Sequence, residues 1–176
     1  MNIILDCDDV LREFVPEVVK TYNKEHFTDY KLEDIITWEI KDVLTEIKDF
    51  QKYVTDRKEI FLNSQVCEDV YETINTLKNK GHRIIISTYQ FKGIEQYTME
   101  WLKKNNIYYD DIFFGRDKFL VQGDIFVDDK YSNITKYEKF NINTVLFLKN
   151  RPWNTGLINP CMNRINTIKE ILNYVK

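Results

Sequence analysis

Arg83-Ile84-Ile85-Ile86-Ser87-Thr88 decides the fold. Three β-branched isoleucines in a row, without polar alternation, describe a strand covered on both faces, as in a parallel sheet. The chain on either side has a helical period. Upstream, Val66, Val70, Ile74 and Leu77 recur at helical spacing, and Gly81 follows Lys78 and Lys80 as a C-terminal stop. Downstream, Ile94, Tyr97, Trp101 and Leu102 form a second stripe. Helix, buried strand, helix is the unit of an α/β sheet.

The alternation continues outward. Asn2 to Leu5 is a brief apolar run that stops at a carboxylate, and Ile112-Phe113-Phe114, Ile125-Phe126-Val127 and Thr144-Val145-Leu146-Phe147 are three further strands. A last helix is expected from Thr167 to Tyr174, with Ile168, Ile171 and Leu172 inward. From Phe14 to Phe61 there is no convincing strand, only helical patterns (Val18, Val19, Tyr22; Ile35, Ile36, Trp38; Val43, Leu44, Ile47). That stretch reads as a cap over the strand ends; the plainer reading, a long crossover, needs far fewer residues. The expected fold is therefore α/β: a doubly wound, Rossmann-like parallel sheet built from residues 1–13 and 63–176. A small all-helical cap, residues 14–62, is inserted after the first strand.

Composition narrows the function. At 176 residues, with 5 Gly and 3 Pro, collagen-like and low-complexity classes fail. No apolar run approaches the ~20 residues of a membrane span, and the start, Met1-Asn2-Ile3-Ile4-Leu5-Asp6, lacks the basic region of a signal peptide. Three cysteines, an odd and sparse set, fit a reduced, cytoplasmic chain better than a disulfide framework. The net charge is −3, and lysines are interleaved with acids rather than gathered in a stripe, so neither a nucleic-acid polymer nor a membrane is expected as partner. A small anionic substrate remains open, as does a homodimer.

In doubly wound sheets ligands bind at the carboxyl ends of the strands. Here those ends carry Asp6-Cys7-Asp8-Asp9, Ser87-Thr88, Arg116-Asp117-Lys118 and Asp128-Asp129. Acids gathered there would repel strongly in a partly desolvated cleft. A divalent cation with hard oxygen ligands relieves this, and without His or Cys at ligand spacing the ion expected is Mg²⁺ rather than Zn²⁺. Ser87 or Thr88 and Lys118 supply donors for phosphoryl oxygens. The set suits phosphoryl transfer to a carboxylate, with Asp6 attacking and Asp8 handling the leaving-group proton.

These residues resemble the haloacid dehalogenase superfamily of phosphatases. Its DxDx[VT] signature appears as Asp6-Cys7-Asp8-Asp9-Val10, followed in order by a Ser/Thr (Ser87 or Thr88), a Lys (Lys118) and paired acids (Asp128-Asp129). Within it the chain is most similar to the 5′(3′)-deoxyribonucleotidases, through Gly115-Arg116-Asp117-Lys118, Gly123 to Lys130, and the run from Asp6 to Phe14. The resemblance implies a nucleoside monophosphate substrate and an aspartyl-phosphate on Asp6. Mg²⁺ would be held by Asp6, the Asp8 carbonyl and Asp129, with Asp128 in support. Asp8 would be general acid and then base, and Lys118 with Ser87 or Thr88 would bind the phosphoryl group. Phe14 and Arg116 would line the nucleotide side. Asp9 stands where that pattern commonly has Gly. Trp38 is placed by its spacing in the core, with base stacking as the alternative.

Other readings fit less well. Cys7 and Arg12 are one residue too close for a cysteine-phosphatase loop, and flanking acids would raise the thiol's pKa. No GxxxxGK[ST] string is present for a P-loop. His26 and His82 read as structural or solvated. A receiver-like phosphoacceptor module needs its acceptor Asp after an intermediate strand, where this chain has the helical insert. A phosphatase for another small phosphomonoester, such as a sugar phosphate, shares the same mechanism.

Overall fold

Strands β1 (Asn2–Leu5), β2 (Arg83–Thr88), β3 (Asp111–Phe114), β4 (Ile125–Asp128), β5 (Val145–Lys149) and β6 (Met162–Ile165) form one sheet in the order β3-β2-β1-β4-β5-β6. Every adjacent pair is parallel. This computed structural model describes residues 1–175; Lys176, the end of the expected 63–176 segment, lies outside the described residues. Its α-helices are α1 (Phe14–His26), α2 (Phe50–Thr55), α3 (Lys58–Asn63), α4 (Val70–Asn79), α5 (Glu95–Lys104) and α6 (Tyr131–Phe140). The strand order runs one way from β1 to β3 and resumes on the other side of β1 at β4. That reversal opens a crevice at the carboxyl ends of β1 and β4, where doubly wound sheets bind ligands. Receiver-type sheets take the order 2-1-3-4-5 instead.

Strand alternation assigns the two faces. Ile3, Leu5, Ile84, Ile86, Ile125 and Val127 point to one side, where they pack with Ile74 and Leu77 of α4 and Trp101 and Leu102 of α5. Ile4, Ile85, Phe126, Leu146 and Leu148 point to the other, against Ile134 and Tyr137 of α6. The Phe126 and Tyr137 rings stack at 4.1 Å. With both faces covered, the strands are continuous apolar runs.

Residues 14–63 have a separate apolar cluster, in which Val18, Val19 and Tyr22 of α1 meet Ile35, Leu44, Tyr53 and Phe61. The helical character expected there is only partly α-helical: short 3-10 turns at Leu32–Asp34 and Ile40–Asp42 stand between α1 and α2. Ile35, Ile36 and Thr37 are consecutive β-branched residues, which lose side-chain freedom in an α-helix. Asn23 also bonds the Tyr30 backbone on both sides, donating to its carbonyl at 2.8 Å and accepting from its N–H at 3.0 Å. Such local bonds compete with helix continuation. So Ile35, Ile36 and Trp38 do not share a stripe: Ile35 is buried, while Ile36 is 71% and Trp38 44% exposed.

The last helix is likewise a 3-10 helix, Ile168–Asn173, with Ile168 and Ile171 inward as expected. Two elements carry little sequence signal. β6 reads Met-Asn-Arg-Ile on the sheet edge, and α6 has only Ile134 and Tyr137 buried. Among the described residues no helix is long and apolar enough to cross a membrane.

Gly123 leads into β4 so close to β1 that an added Cβ would lie 2.6 Å from Ile4 Cδ1 and 2.9 Å from the Asn2 carbonyl oxygen. Neither neighbour can give way, since Ile4 is fully buried and the other atom is backbone. Gly123→Ala is expected to destabilise the fold by about 1–3 kcal/mol, the usual cost of overpacking. Urea unfolding of the variant against wild type checks this, and an unchanged midpoint would contradict the packing described.

Candidate active site

The sheet brings the carboxyl ends of β1, β2 and β4 to one cavity of about 530 Å³, lined among others by Asp6, Asp8, Thr88, Lys118 and Asp129. That volume suits a small-molecule site. Asp6 comes directly after β1, and its N–H still donates to the Val127 carbonyl of β4 at 2.9 Å. Its Oδ1 accepts the Cys7 N–H at 2.7 Å, and its Oδ2 meets the Lys118 ammonium at 2.7 Å. Lys118, only 5% exposed, also contacts Asp128 Oδ2 at 2.7 Å. Burial works against the Lys118 charge, but Asp128 and Asp6 outweigh it and raise its pKa.

The acids remain under-compensated. Burial, with Asp128 and Asp129 nearby, pushes the Asp6 carboxyl well above the ordinary carboxylate range, although Lys118 pulls the other way. Burial, Asp128 and Asp9 do the same to Asp129, against Lys118 and the Trp153 hydrogen bond. One carboxylate oxygen from each of Asp6, Asp128 and Asp129 can be chosen so that all lie within 4.8 Å of one another. Asp128 is already engaged through both oxygens, accepting from Lys118, the Lys130 N–H and Asn133 Nδ2. Asp129 accepts the Trp153 indole N–H on Oδ2 at 2.8 Å, which leaves Oδ1. Hard oxygen donors with excess negative charge fit a divalent cation: Asp129 Oδ1 is open to it, and each Asp6 oxygen, accepting a single bond, keeps a lone pair to offer.

Asp8 reaches the same cavity. Its Oδ1 accepts Arg12 Nε at 2.7 Å and its Oδ2 accepts Gln90 Nε2 at 2.9 Å. Asp9 also lines the cavity, but its carboxylate is taken up by the helix that follows. Its φ of +57° is the left-handed conformation that favours Gly and that Asp tolerates. Its carboxylate accepts the Val15 N–H at 3.1 Å, which caps the start of α1 from outside the helix. Burial pushes the Asp9 carboxyl up to about 7, against the nearby Arg151. Arg151 in turn donates twice to the Asp9 carbonyl, at 3.0 and 2.7 Å, and pairs with Glu13 at 2.9 Å. The loop after β1 is thus pinned to the chain beyond β5.

The two hydroxyls of β2 part company. Thr88 lines the cavity and accepts from Gln90 Nε2 at 3.2 Å. Ser87 is fully buried, and its Oγ has no hydrogen-bond partner among the described residues. Phe14 and Arg116 both line the cavity. Phe14 lies 5.1 Å from the Phe61 ring, and Arg116 sits over the Tyr89 ring at 4.4 Å. Trp38 is at the cavity wall rather than in the core, with the Lys130 ammonium 4.2 Å from its ring centre and the Trp153 ring edge-on at 6.4 Å.

Sequence reading missed Gln90, Trp153 and the role of Arg12. Gln90 meets Asp8 and Trp153 meets Asp129 only through the fold, whereas Arg12 lies four residues from Asp8, a spacing that could have signalled the pair. His82 is buried with Nδ1 3.4 Å from the N-terminal amine, and the His26 ring lies tilted against Tyr22 at 4.4 Å; both lie away from the cavity.

Comparison with known proteins agrees with this architecture. A curated candidate 5′(3′)-deoxyribonucleotidase of Chlorobaculum tepidum is 22% identical over 103 residues, 54% of this chain and 50% of the relative. The alignment therefore spans about half the length of that protein. Among solved structures, a candidate β-phosphoglucomutase of Thermotoga maritima has a TM-score of 0.65 at 17% identity, covering 98% of this chain and 97% of that one. A HAD-superfamily hydrolase of Geobacter sulfurreducens gives 0.62 at 14%, covering 99% and 96%. The candidate HAD-hydrolase YfnB of Bacillus subtilis, bound to magnesium, gives 0.61 at 10%, covering 98% and 97%. At these identities the likeness is one of fold. The model of one family, described as 5′ nucleotidase, deoxy (Pyrimidine), cytosolic type C protein, matches residues 1–164. With that match over nearly its whole length, the chain belongs to the cytosolic type C 5′-nucleotidase family.

Proposed function

We propose that the protein is a Mg²⁺-dependent phosphomonoesterase that hydrolyses nucleoside monophosphates, with deoxyribonucleotides preferred, in the cytoplasm. The observation that carries the reading is the convergence of Asp6, Asp8, Thr88 and Lys118 on one cavity whose outer wall is aromatic. Phe14, Trp38, Phe50, Phe61, Tyr89 and Phe91 all face it, and flat apolar walls suit a nucleobase better than a polyhydroxylated sugar. Residues 14–62 would act as the cap that supplies much of this wall. The family match and the free state of Cys7, Cys67 and Cys161 are in keeping with a cytoplasmic nucleotidase.

In the reaction, an Asp6 carboxylate oxygen attacks phosphorus and the ester P–O bond breaks. The departing oxygen takes a proton from the Asp8 carboxyl. Water then attacks the aspartyl-phosphate, giving its proton to Asp8, while the bond between phosphorus and Asp6 breaks and inorganic phosphate leaves. Lys118 and the Thr88 hydroxyl donate to the phosphoryl oxygens as charge redistributes; a hydroxyl that accepts from Gln90 can still donate. A divalent cation on Asp6, Asp129 and the Asp8 carbonyl would, when bound, offset phosphoryl charge and favour ionised Asp6. Asp128 keeps the Lys118 ammonium directed at Asp6.

Phosphate release from a panel of nucleoside and sugar monophosphates, with Mg²⁺ or with a chelator, tests the reading. Metal-dependent release favouring deoxynucleotides is expected, with Asp6→Asn inactive and Asp8→Asn reduced by about 10²–10⁴-fold. Release from sugar phosphates alone would discard the nucleotide assignment, and full activity in Asp6→Asn would discard the covalent route.

The β2 hydroxyls separate by the same assay. Thr88→Val should lower kcat by about 10²–10³-fold, as loss of one phosphoryl donor does. Ser87→Ala should leave kcat unchanged and stability within about 1 kcal/mol, since it removes an unpaired hydroxyl. The opposite ranking would reassign the donor to Ser87.

A further inference from the structure

Both oxygens of Asp8 are held, but by very different groups. Oδ1 belongs to Arg12, whose Nε lies 2.7 Å away, while other guanidinium nitrogens donate to Thr98 Oγ1 at 3.2 Å and the Phe61 carbonyl at 3.4 Å. Arg12 is completely buried, and its guanidinium carbon lies 5.3 Å from the ring centres of Phe61 and Trp101 and 5.8 Å from that of Phe14. Trp101 is itself fixed, its indole N–H donating to the Ser64 carbonyl at 2.7 Å. A cage of three rings would accept an apolar side chain at no desolvation cost. A guanidinium there is costly unless it is paired, and Asp8 is its one charged partner among the described residues.

Oδ2 faces the cavity. It accepts Gln90 Nε2 at 2.9 Å, and the same amide reaches Thr88 Oγ1 at 3.2 Å. Gln90 is a short neutral arm on the cavity wall, held by two hydrogen bonds, whereas Arg12 is locked by an ion pair, a hydroxyl, a carbonyl and three rings.

We propose that Arg12 is a positioning residue that anchors Asp8 through Oδ1 and thereby makes Oδ2 the oxygen that moves the proton. The inference rests on the phosphomonoesterase reading above and deepens it. Gln90 marks the place of the incoming ester oxygen and releases Oδ2 when the substrate arrives. In the first step the proton passes from Oδ2 to the departing oxygen as the ester bond breaks; in the second, water returns a proton to Oδ2 as it bonds to phosphorus. Arg12 never touches the substrate. Its work is to stop the carboxyl from rotating, because a misplacement of about 1 Å in a reacting group can cost 10²-fold in rate.

The test uses Arg12→Met, Arg12→Lys and Asp8→Asn, alone and combined, with kcat and KM measured for a deoxynucleoside monophosphate and for p-nitrophenyl phosphate. Methionine fits a ring-lined cage, so Arg12→Met should keep the thermal midpoint while kcat falls by about 10²-fold and KM stays within about threefold. Arg12→Lys should recover part of the loss. In the Asp8→Asn background, Arg12→Met should cost no more than about twofold, since a residue acting through Asp8 has nothing left to position. A folded Arg12→Met with wild-type kcat would overturn the inference, as would an equal loss with and without Asp8. If Arg12→Met does not fold, the cycle of Arg12→Lys with Asp8→Asn decides on the same criterion. A wild type inactive on both esters would remove the phosphatase reading and this inference with it; an active wild type with additive Arg12 effects removes this inference alone.

Discussion

The Lys118 ammonium, held between Asp6 and Asp128 at 2.7 Å from each, is the contact on which the site depends. Asp6, Asp9, Asp128 and Asp129 are all buried, and charges of one sign without water between them repel strongly. Lys118 between Asp6 and Asp128, and Arg151 near Asp9, do not balance them. Burial first, and then the neighbouring carboxylates, raise the pKa of Asp6 and of Asp129. Folding therefore leaves a position where positive charge is wanted, and the oxygens of Asp6 and Asp129 face it. The sheet maintains this against the repulsion, because Asp6 and Asp128 adjoin strands whose other residues are locked in apolar layers on both faces.

Around that centre the chain spends other charges on fixing the loop after β1. Asp9 caps α1, Arg151 grips the Asp9 carbonyl and Glu13, and Lys149 donates to the Val10 carbonyl at 3.2 Å. These contacts tie the first loop to the end of β5 and to the helix that opens residues 14–63. Phe14, Trp38, Phe50 and Phe61 of the aromatic cavity wall come from the same segment, and Tyr89 and Phe91 follow β2. Asp9 in place of Gly is accommodated on these terms: its backbone takes the left-handed turn while its carboxylate is used by the helix.

Much of this was legible in the sequence, for a physical reason. Ile84, Ile85 and Ile86 can hardly be anything but a covered strand, and in a doubly wound sheet the residues just past each strand must meet at one edge. That rule gathers Asp6, Asp8, Lys118 and Asp129, and all four line one cavity. Register was not legible: Ser87 and Thr88 differ by one position, and only the pairing of β2 with its neighbours decides which hydroxyl reaches the cavity. Trp38 was misplaced because Ile35, Ile36 and Trp38 mimic a helical stripe, whereas the β-branched run and the Asn23 bonds hold short 3-10 turns. Arg12, Gln90 and Trp153 carry no pattern of their own. Their meaning lies in Asp8, held by Arg12 and Gln90, and in Asp129, held by Trp153, and the turn after β1 or the fold is what brings each pair together.

The proposed reaction passes through a covalently phosphorylated Asp6. Mixing the protein with Mg²⁺ and a phosphomonoester, quenching in acid, reducing the acyl phosphate with borohydride and mapping the product by mass spectrometry reads this directly. Homoserine is expected at position 6 and nowhere else, with none formed when substrate is omitted. Reduction at Asp8, Asp128 or Asp129 instead, or phosphate release with no reducible carboxyl at any point in turnover, would contradict it.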